Sequence, residues 1–255
     1  MKIITWNING IRAVHKKGFF EYIEREQPDV ICVQETKADI EQIHHDFRSP
    51  PGYEAFYHSC SVKKGYSGVA TFTKIKPEAT FKDIGIERFD GEGRIIATDF
   101  GEFILINVYF PNGGMGEVRL QYKLDFYDAF FSFCEDLRKK GRKLIICGDY
   151  NTAHHVIDIA RPKENIMTSG FMVIERVKLD WLQQMNYVDT FRMFNTEGGN
   201  YTWWSVQQQA RPRNVGWRID YHWVTEDLVS KVESCIHHTN QEGSDHCPVV
   251  LQIAM

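Results

Sequence analysis

Short apolar runs rich in β-branched residues recur along this 255-residue chain, and they repeatedly end at, or lead out of, a polar side chain. The runs are Lys2–Trp6, Asp29–Val33, Gly68–Thr73, Arg94–Asp99, Phe103–Tyr109, Lys143–Cys147, Ile219–Val224 and Pro248–Ile253. Near-continuous apolar stretches of this length read as strands covered on both faces. Helix-period segments lie between them. Leu120, Leu124, Tyr127, Phe131 and Cys134 step by four and three along one face. Arg138, Lys139 and Lys140, followed by Gly141, end that helix: cations suit its C-terminal dipole and glycine its left-handed exit. Ile174, Val177, Trp181 and Met185 mark a second helical face, and Phe19–Glu26 a third helix that Pro28 stops. Strands alternating with helices give an α/β protein with layered sheets. No linker, low-complexity tract or fixed-period repeat divides the chain, so a single domain over residues 1–255 is expected.

Hydrophobic residues make up 43% of the chain and aromatics 13%, enough for a substantial core and too much for a disordered chain. The formal net charge of -4 argues mildly against a general polyanion binder, although carboxylates gathered for a metal also lower it. The six cysteines include no C-x-x-C pair, and Cys32 and Cys147 lie inside apolar runs. They read as reduced, which with the absence of a leader before the first strand points to a cytoplasmic protein. Phe103–Phe110, the longest clear apolar run, is too short to span a bilayer, so no membrane partner is expected.

The polar ends of the strand runs carry the chemistry. They are Asn7, Gln34-Glu35, Tyr109, Asp149 with Asn151 two residues on, Asp220, and Asp245-His246. Taken singly, each has an ordinary explanation as a turn residue, a solvated strand end or a structural histidine. The case rests on six segments sharing one topological position, the rim of a sheet. If those rims coincide, four carboxylates converge, and like charges raise one another's pKa unless a cation joins them. Oxygen donors with little His or Cys favour Mg²⁺ or Mn²⁺ over zinc. Such an ion neutralises charge on a phosphate ester and activates water. The adjacent pairs His44-His45, His154-His155 and His237-His238 read instead as surface histidines, because neighbouring side chains diverge.

The segments Trp6-Asn7-Ile8-Asn9-Gly10, Gln34-Glu35-Thr36-Lys37, Gly65-Tyr66-Ser67-Gly68, Tyr109-Phe110-Pro111-Asn112, Gly148-Asp149-Tyr150-Asn151, Asn214 to Tyr221 and Gly243 to Pro248 together resemble the exonuclease III family of abasic-site endonucleases, within the endonuclease/exonuclease/phosphatase superfamily. The resemblance implies a four-layered α/β sandwich of two packed mixed sheets flanked by helices, the DNase I-like fold. It implies a Mg²⁺ ion, with Mn²⁺ as a substitute, held by Glu35 and Asn7 with Asp149, Asn151 and Asp245 nearby. Asp149 and Asn151 would orient the attacking water, with Asp149 as general base. Asp245 would help with metal or water. His246, paired with Asp220, would contact the scissile phosphate, and Tyr109 would donate to a phosphate oxygen or act near the leaving group.

The same resemblance implies double-stranded DNA containing abasic sites as substrate, cut by a monomer. Trp203 and Trp217 would line a pocket for a flipped-out baseless sugar. Backbone contacts would come from Arg12, Lys37, Lys63, Lys64, Arg94 and Arg213, with Tyr66, Asn112 and Thr168 also approaching DNA. The chain departs from the pattern at Asn9, where relatives carry Asp, and at Met115, Gln207 and Thr168. These changes leave open the balance between abasic-site incision, 3′-phosphodiesterase and 3′→5′ exonuclease activity. Two rival readings stand beside this one: a phosphodiesterase of the same superfamily acting on RNA, an inositol phosphate or a lipid, and a non-catalytic DNA-binding module.

Overall fold

The computed structural model describes residues 1–46 and 48–255. The strands are β1 Lys2–Asn7, β2 Val30–Gln34, β3 Glu54–His58, β4 Val69–Thr73, β5 Ala79–Phe81, β6 Ile95–Asp99, β7 Ile104–Tyr109, β8 Leu144–Asp149, β9 Tyr187–Asp189, β10 Trp203–Trp204, β11 Gly216–Trp217, β12 Asp220–Thr225, β13 Val232–His237 and β14 Val249–Ile253. The α-helices are α1 Ile11–Val14, α2 Phe19–Glu26, α3 Glu87–Asp90, α4 Glu117–Lys139, α5 Pro162–Asn165 and α6 Val173–Gln184. Two six-stranded sheets run in the orders β13-β14-β1-β2-β4-β3 and β5-β6-β7-β8-β12-β9. Each is antiparallel except for one central parallel pair, β1–β2 and β7–β8.

The two-residue period of the strands sorts side chains into layers. Ile3, Val30, Cys32, Leu105, Ile145 and Cys147 meet between the sheets. Their neighbours Ile4, Trp6, Ile31 and Val33 point outward, onto Phe19, Tyr22 and Ile23 of α2. On the opposite outer face, Ile104, Ile106, Leu144 and Ile146 pack under α4 and α6. Helix, sheet, sheet and helix are thus the four layers expected. The buried face of α4 is aromatic: Phe126, Tyr127, Phe130 and Phe131, each of which stabilises the fold by roughly 1.5–3 kcal/mol through burial. All six cysteines are buried and free. Among the described residues no helix is long and apolar enough to cross a membrane.

Two expectations need correction. On α6, Ile174 and Val177 are exposed, and the buried positions are Glu175, Leu179 and Leu182. Trp181 is half-buried and stacks on Phe131, with centroids 5.2 Å apart. Glu175 shares the buried face of α6 with Leu179 and Leu182, and its carboxylate accepts from the Gly170 and Met172 amides and from Lys123 of α4. The second correction concerns the histidine pairs. His44 and His45 are exposed, but His154 is fully buried, with its Nε2 2.8 Å from an Asp180 oxygen.

Burial lowers His154 to about 4, and burial likewise lowers His222 to about 4. In each case the folded protein binds fewer protons than the unfolded chain between that value and the ordinary one near 6.5. The contribution of these two groups to stability is therefore fully present above pH 6.5 and is lost as pH drops toward 4. The urea midpoint is expected to fall between pH 7 and pH 5, and a less steep fall in His222→Asn would identify the group. A midpoint flat across that interval contradicts this account.

Candidate active site

The strand registers bring the polar ends together. At the ends of parallel neighbours, Asn7 sits opposite Gln34 in one sheet and Tyr109 opposite Asp149 in the other. Asp220, at the start of antiparallel β12, faces Asp149. His246 precedes β14, whose pairing with β1 returns it to the same rim, where it bridges to Trp203. Gly148, just before Asp149, has φ +142°, and a Cβ there would lie 1.8 Å from the Val108 carbonyl oxygen, so only glycine lets β8 run this close to β7. Asn9, Glu35, Lys37 and Asn151 all adopt positive φ without being glycine. That clustering of strained backbone is typical of a functional rim.

Asn7 is fully buried, and its Nδ2 donates to Glu35 Oε1 at 2.9 Å and to Asp149 Oδ2 at 2.8 Å. It thus holds two carboxylates side by side, while its Oδ1 accepts from the Asn9 amide. Tyr109 donates its hydroxyl to Glu35 Oε1 at 2.9 Å. Lys37 Nζ lies 2.6 Å from Glu35 Oε2 and 2.6 Å from Asn9 Oδ1. Burial works against an ionised Glu35, but Lys37 and Asn7 outweigh it and its pKa is lowered. Asp149 is pushed up to about 7 by burial, with His246 opposing and Asp220 adding to the rise.

His246 Nδ1 lies 2.9 Å and 3.1 Å from the two Asp220 oxygens, and its Nε2 is 3.9 Å from Asp149 Oδ2. Burial alone would lower its pKa, but Asp220, with Asp149 and Asp245, raises it to about 10, so the ring is an imidazolium at neutral pH. Thr202 donates to Asp220 Oδ2 at 2.5 Å, which fixes the partner in turn. Asp245 accepts from Asn9 Nδ2 at 2.9 Å and from the Trp203 indole at 3.0 Å; these and the nearby His246 overcome burial and keep its pKa low. Asn151 takes its amide hydrogen bond to Asp149 Oδ1 at 2.7 Å, donates Nδ2 to the Phe110 carbonyl, and accepts from Asn112 at 3.0 Å.

Ligand atoms of Glu35, Asp149 and His246 lie within 4.8 Å of one another. Two carboxylate oxygens crowded on one amide offer oxygen donors that suit a hard divalent cation, and the Lys37 ammonium already balances part of the charge on Glu35. Asp245 is not one of that group of three. Beside them opens a cavity of about 310 Å³, small for a ligand pocket. It is lined by Asn112, Thr168, Ser169, Trp203, Trp217 and Ile219 together with Glu35, Tyr109, Asp245 and His246. Trp203 and Trp217 pair across β10 and β11 with their rings edge to face.

Several comparisons bear on this arrangement. The Endonuclease/Exonuclease/phosphatase family matches residues 4–246. The chain belongs to this family. Within it, the chain is 41% identical over 255 residues to an exodeoxyribonuclease of Bacillus subtilis, covering 99% of both proteins. It is 42% identical over 253 residues to a DNA-(apurinic or apyrimidinic site) endonuclease of Dictyostelium discoideum, covering 98% of this chain and 69% of that protein. The crystal structure of an AP endonuclease from Leishmania major superposes with a TM-score of 0.90 at 31% identity, covering all of this chain and 87% of the other. These place it in the exonuclease III group of AP endonucleases and exodeoxyribonucleases. The family is metal-dependent, in keeping with the buried Glu/Asp/His cluster.

The remaining residues singled out in the sequence divide by place. Arg12 and Arg213 are exposed, the latter donating to the Gln208 carbonyl. Lys37 is half-exposed beside Glu35. Arg94 is 1% exposed, so it is not a free phosphate contact: its guanidinium donates to Glu92, the Tyr109 carbonyl and the Tyr66 hydroxyl. It braces two aromatic residues of this family-type site from behind, together with Arg119, which also reaches Tyr66 and Glu92. Arg211 stands two residues before Arg213. It stacks over Trp204 and donates to the carbonyls of Ser244, Thr239 and Gln241, stapling the loop that carries Asp245 and His246. Sequence reading missed Arg119 and Thr202, whose partners are distant in the chain, and also Lys123 and Glu175. Lys123 carried one visible signal: it stands four residues before Tyr127 on the aromatic face of α4.

Proposed function

We propose that this protein is a Mg²⁺-dependent DNA repair endonuclease that hydrolyses the phosphodiester on the 5′ side of an abasic site, leaving a 3′-hydroxyl and a 5′-deoxyribose phosphate. The observation that carries the reading is the shared cavity: Glu35, Asp245, a charged His246 and the Trp203–Trp217 wall open onto one space, with Asp149 buried beside Glu35 and His246. Glu35 and Asp149, spaced by Asn7, would hold the ion, with Asn151 and Asp245 close by. When bound, Mg²⁺ supplies charge neutralisation on the phosphate and lowers the pKa of water.

The chain's own residues do the rest. Asp149 accepts the proton of the attacking water, and Asn151 fixes that carboxylate through its amide. His246, charged against Asp220, stabilises negative charge on the phosphate oxygens as the bond order to phosphorus changes. Tyr109 keeps its proton, because burial and the neighbouring Glu35 raise its pKa far above neutral, so it acts as a donor. Trp203 and Trp217 offer apolar walls to a sugar without a base, and Asn112 and Thr168 rim the opening. A recessed 3′ terminus would enter the same space, giving 3′-phosphodiesterase and 3′→5′ exonuclease as accompanying activities.

The test is a labelled duplex with one tetrahydrofuran abasic analogue, incubated with Mg²⁺ or EDTA beside an intact duplex. The expected product is a single cut 5′ to the analogue, formed with Mg²⁺, absent with EDTA, and absent from internal bonds of the intact duplex. No cut with Mg²⁺ from folded protein would move the assignment to another phosphodiester or to DNA binding alone.

A further inference from the structure

The chemistry above leaves unused a fully buried ion pair between α4 and α6. Lys123 and Glu175 are both 0% exposed, with Lys123 Nζ 2.6 Å from Glu175 Oε1. A second hydrogen of the ammonium goes to the Asn151 carbonyl at 2.6 Å. The carboxylate also accepts from the Ser169 hydroxyl at 2.8 Å and from the Gly170 amide at 2.6 Å. Ser169 and Gly170 line the cavity. Gly170 is wedged tightly: a Cβ there would lie 3.0 Å from the Trp217 ring and 3.1 Å from the Asn151 carbonyl oxygen.

Stability is a weak reason for such a pair, because desolvating two charges offsets much of their attraction and apolar replacements are often neutral. A geometric role is the stronger explanation. One end of the pair grips the loop that aligns Asp149, and the other grips the cavity wall against which Trp217 packs. We propose that Lys123 and Glu175 are positioning residues that lock the Ser169–Gly170 wall to the Asn151 loop, so that a baseless sugar seated in the cavity presents its phosphate in line with Asp149. The inference rests on the function proposed above and adds to it a determinant of which DNA backbone is cut.

The test removes both charges at once. Lys123→Met alone would strand a buried carboxylate, whereas Lys123→Met with Glu175→Gln leaves an acceptor for the Gly170 amide and no lone charge. Three quantities are measured for this double variant and wild type: melting temperature, the single-turnover rate constant on the tetrahydrofuran duplex, and the dissociation constants of that duplex and of intact duplex in EDTA. The expected result is a melting temperature close to wild type, a rate constant at least tenfold lower per folded molecule, and a narrowed binding preference for the abasic duplex. A rate constant within about twofold of wild type overturns the proposal. So does a loss accounted for wholly by a smaller folded fraction, since that marks a structural role only. If the double variant does not fold, Lys123→Gln with Glu175→Gln, which likewise leaves no lone charge and keeps a donor for the Asn151 carbonyl, is judged by the same criteria. Failure of wild-type protein to cut the analogue counts against the proposed function instead, so the two failures are distinguishable.

Discussion

Asp149→Asn is expected to lower the incision rate constant by about 10²–10⁴-fold, with folding and abasic-DNA binding near wild type. The size of the effect follows from where the other carboxylates are committed. Glu35 is occupied by Lys37, Tyr109 and Asn7. Both oxygens of Asp245 are held, one by Asn9 and one by the Trp203 indole. Asp220 lies beneath His246, fully buried, and Thr202 also donates to it. Asp149 also accepts hydrogen bonds, from Asn7 at Oδ2 and from the Asn151 amide at Oδ1, but it is the carboxylate set against His246 Nε2, 3.9 Å from its Oδ2. Without a cation beside it, burial pushes its pKa to about 7, and a cation held there favours the carboxylate, the form that accepts a proton. An asparagine fills the same volume at the end of β8 and still offers an oxygen to the Asn151 amide, while its NH2 would face the Asn7 Nδ2 donor, which is why melting is measured beside the rate. The check is a single-turnover assay at saturating enzyme, paired with thermal melting and binding in EDTA. A loss below tenfold would place the base elsewhere in the cavity.

The sequence made the eight interior strands visible and hid all four at the edges. β1, β2, β4, β14 and β6, β7, β8, β12 correspond to the apolar runs, because each is covered by neighbours in the sheet and by layers on both faces. The edge strands β3, β13, β5 and β9 were unread. Glu54–His58 and Val232–His237 alternate irregularly between exposed and buried, and Ala79–Phe81 has no fully buried residue. An edge strand loses one neighbour and with it much of the apolar pressure on its composition. β10 and β11 are two-residue pairings that no periodicity argument can detect.

The candidate site divides along a similar line. Residues at strand ends were legible because the end of a buried run is itself a sequence landmark, as with Asp149 after Gly148. Supporting residues were less so. Arg94 looked like a surface cation because its positive charge is visible in the sequence and its partners Glu92, Tyr66 and the Tyr109 carbonyl are not recognisable as such. Arg211 and Thr202 act on groups 18 or more residues away, a distance set only by the fold. The exposure of Ile174 and Val177 has the same origin: the buried face of α6 includes Glu175, whose partners the helical period does not report.

Asp220→Asn is the companion prediction, and its signature lies in pH rather than in rate alone. Burial drives His246 toward the neutral ring, and Asp220, 2.9 Å from Nδ1, is the largest influence opposing it. With its pKa raised to about 10, the wild-type imidazolium is present at every pH below that value. Removing the carboxylate charge leaves Asp149 and Asp245 as weaker supports, so the pKa falls and the charge is lost progressively as pH rises. The variant should therefore be nearest to wild type at pH 6 and about 10²–10³-fold slower at pH 8–9, the penalty for deleting one preorganised charge-stabilising donor. Asparagine retains a side-chain oxygen for Nδ1–H and for the Thr202 hydroxyl, which keeps the ring in place and separates loss of charge from loss of position. His246→Gln supplies the reference, because a side chain that cannot ionise should be slow by a nearly constant factor across the same range. A pH–rate profile of Asp220→Asn parallel to wild type would mean that Asp220 orients His246 without setting its charge.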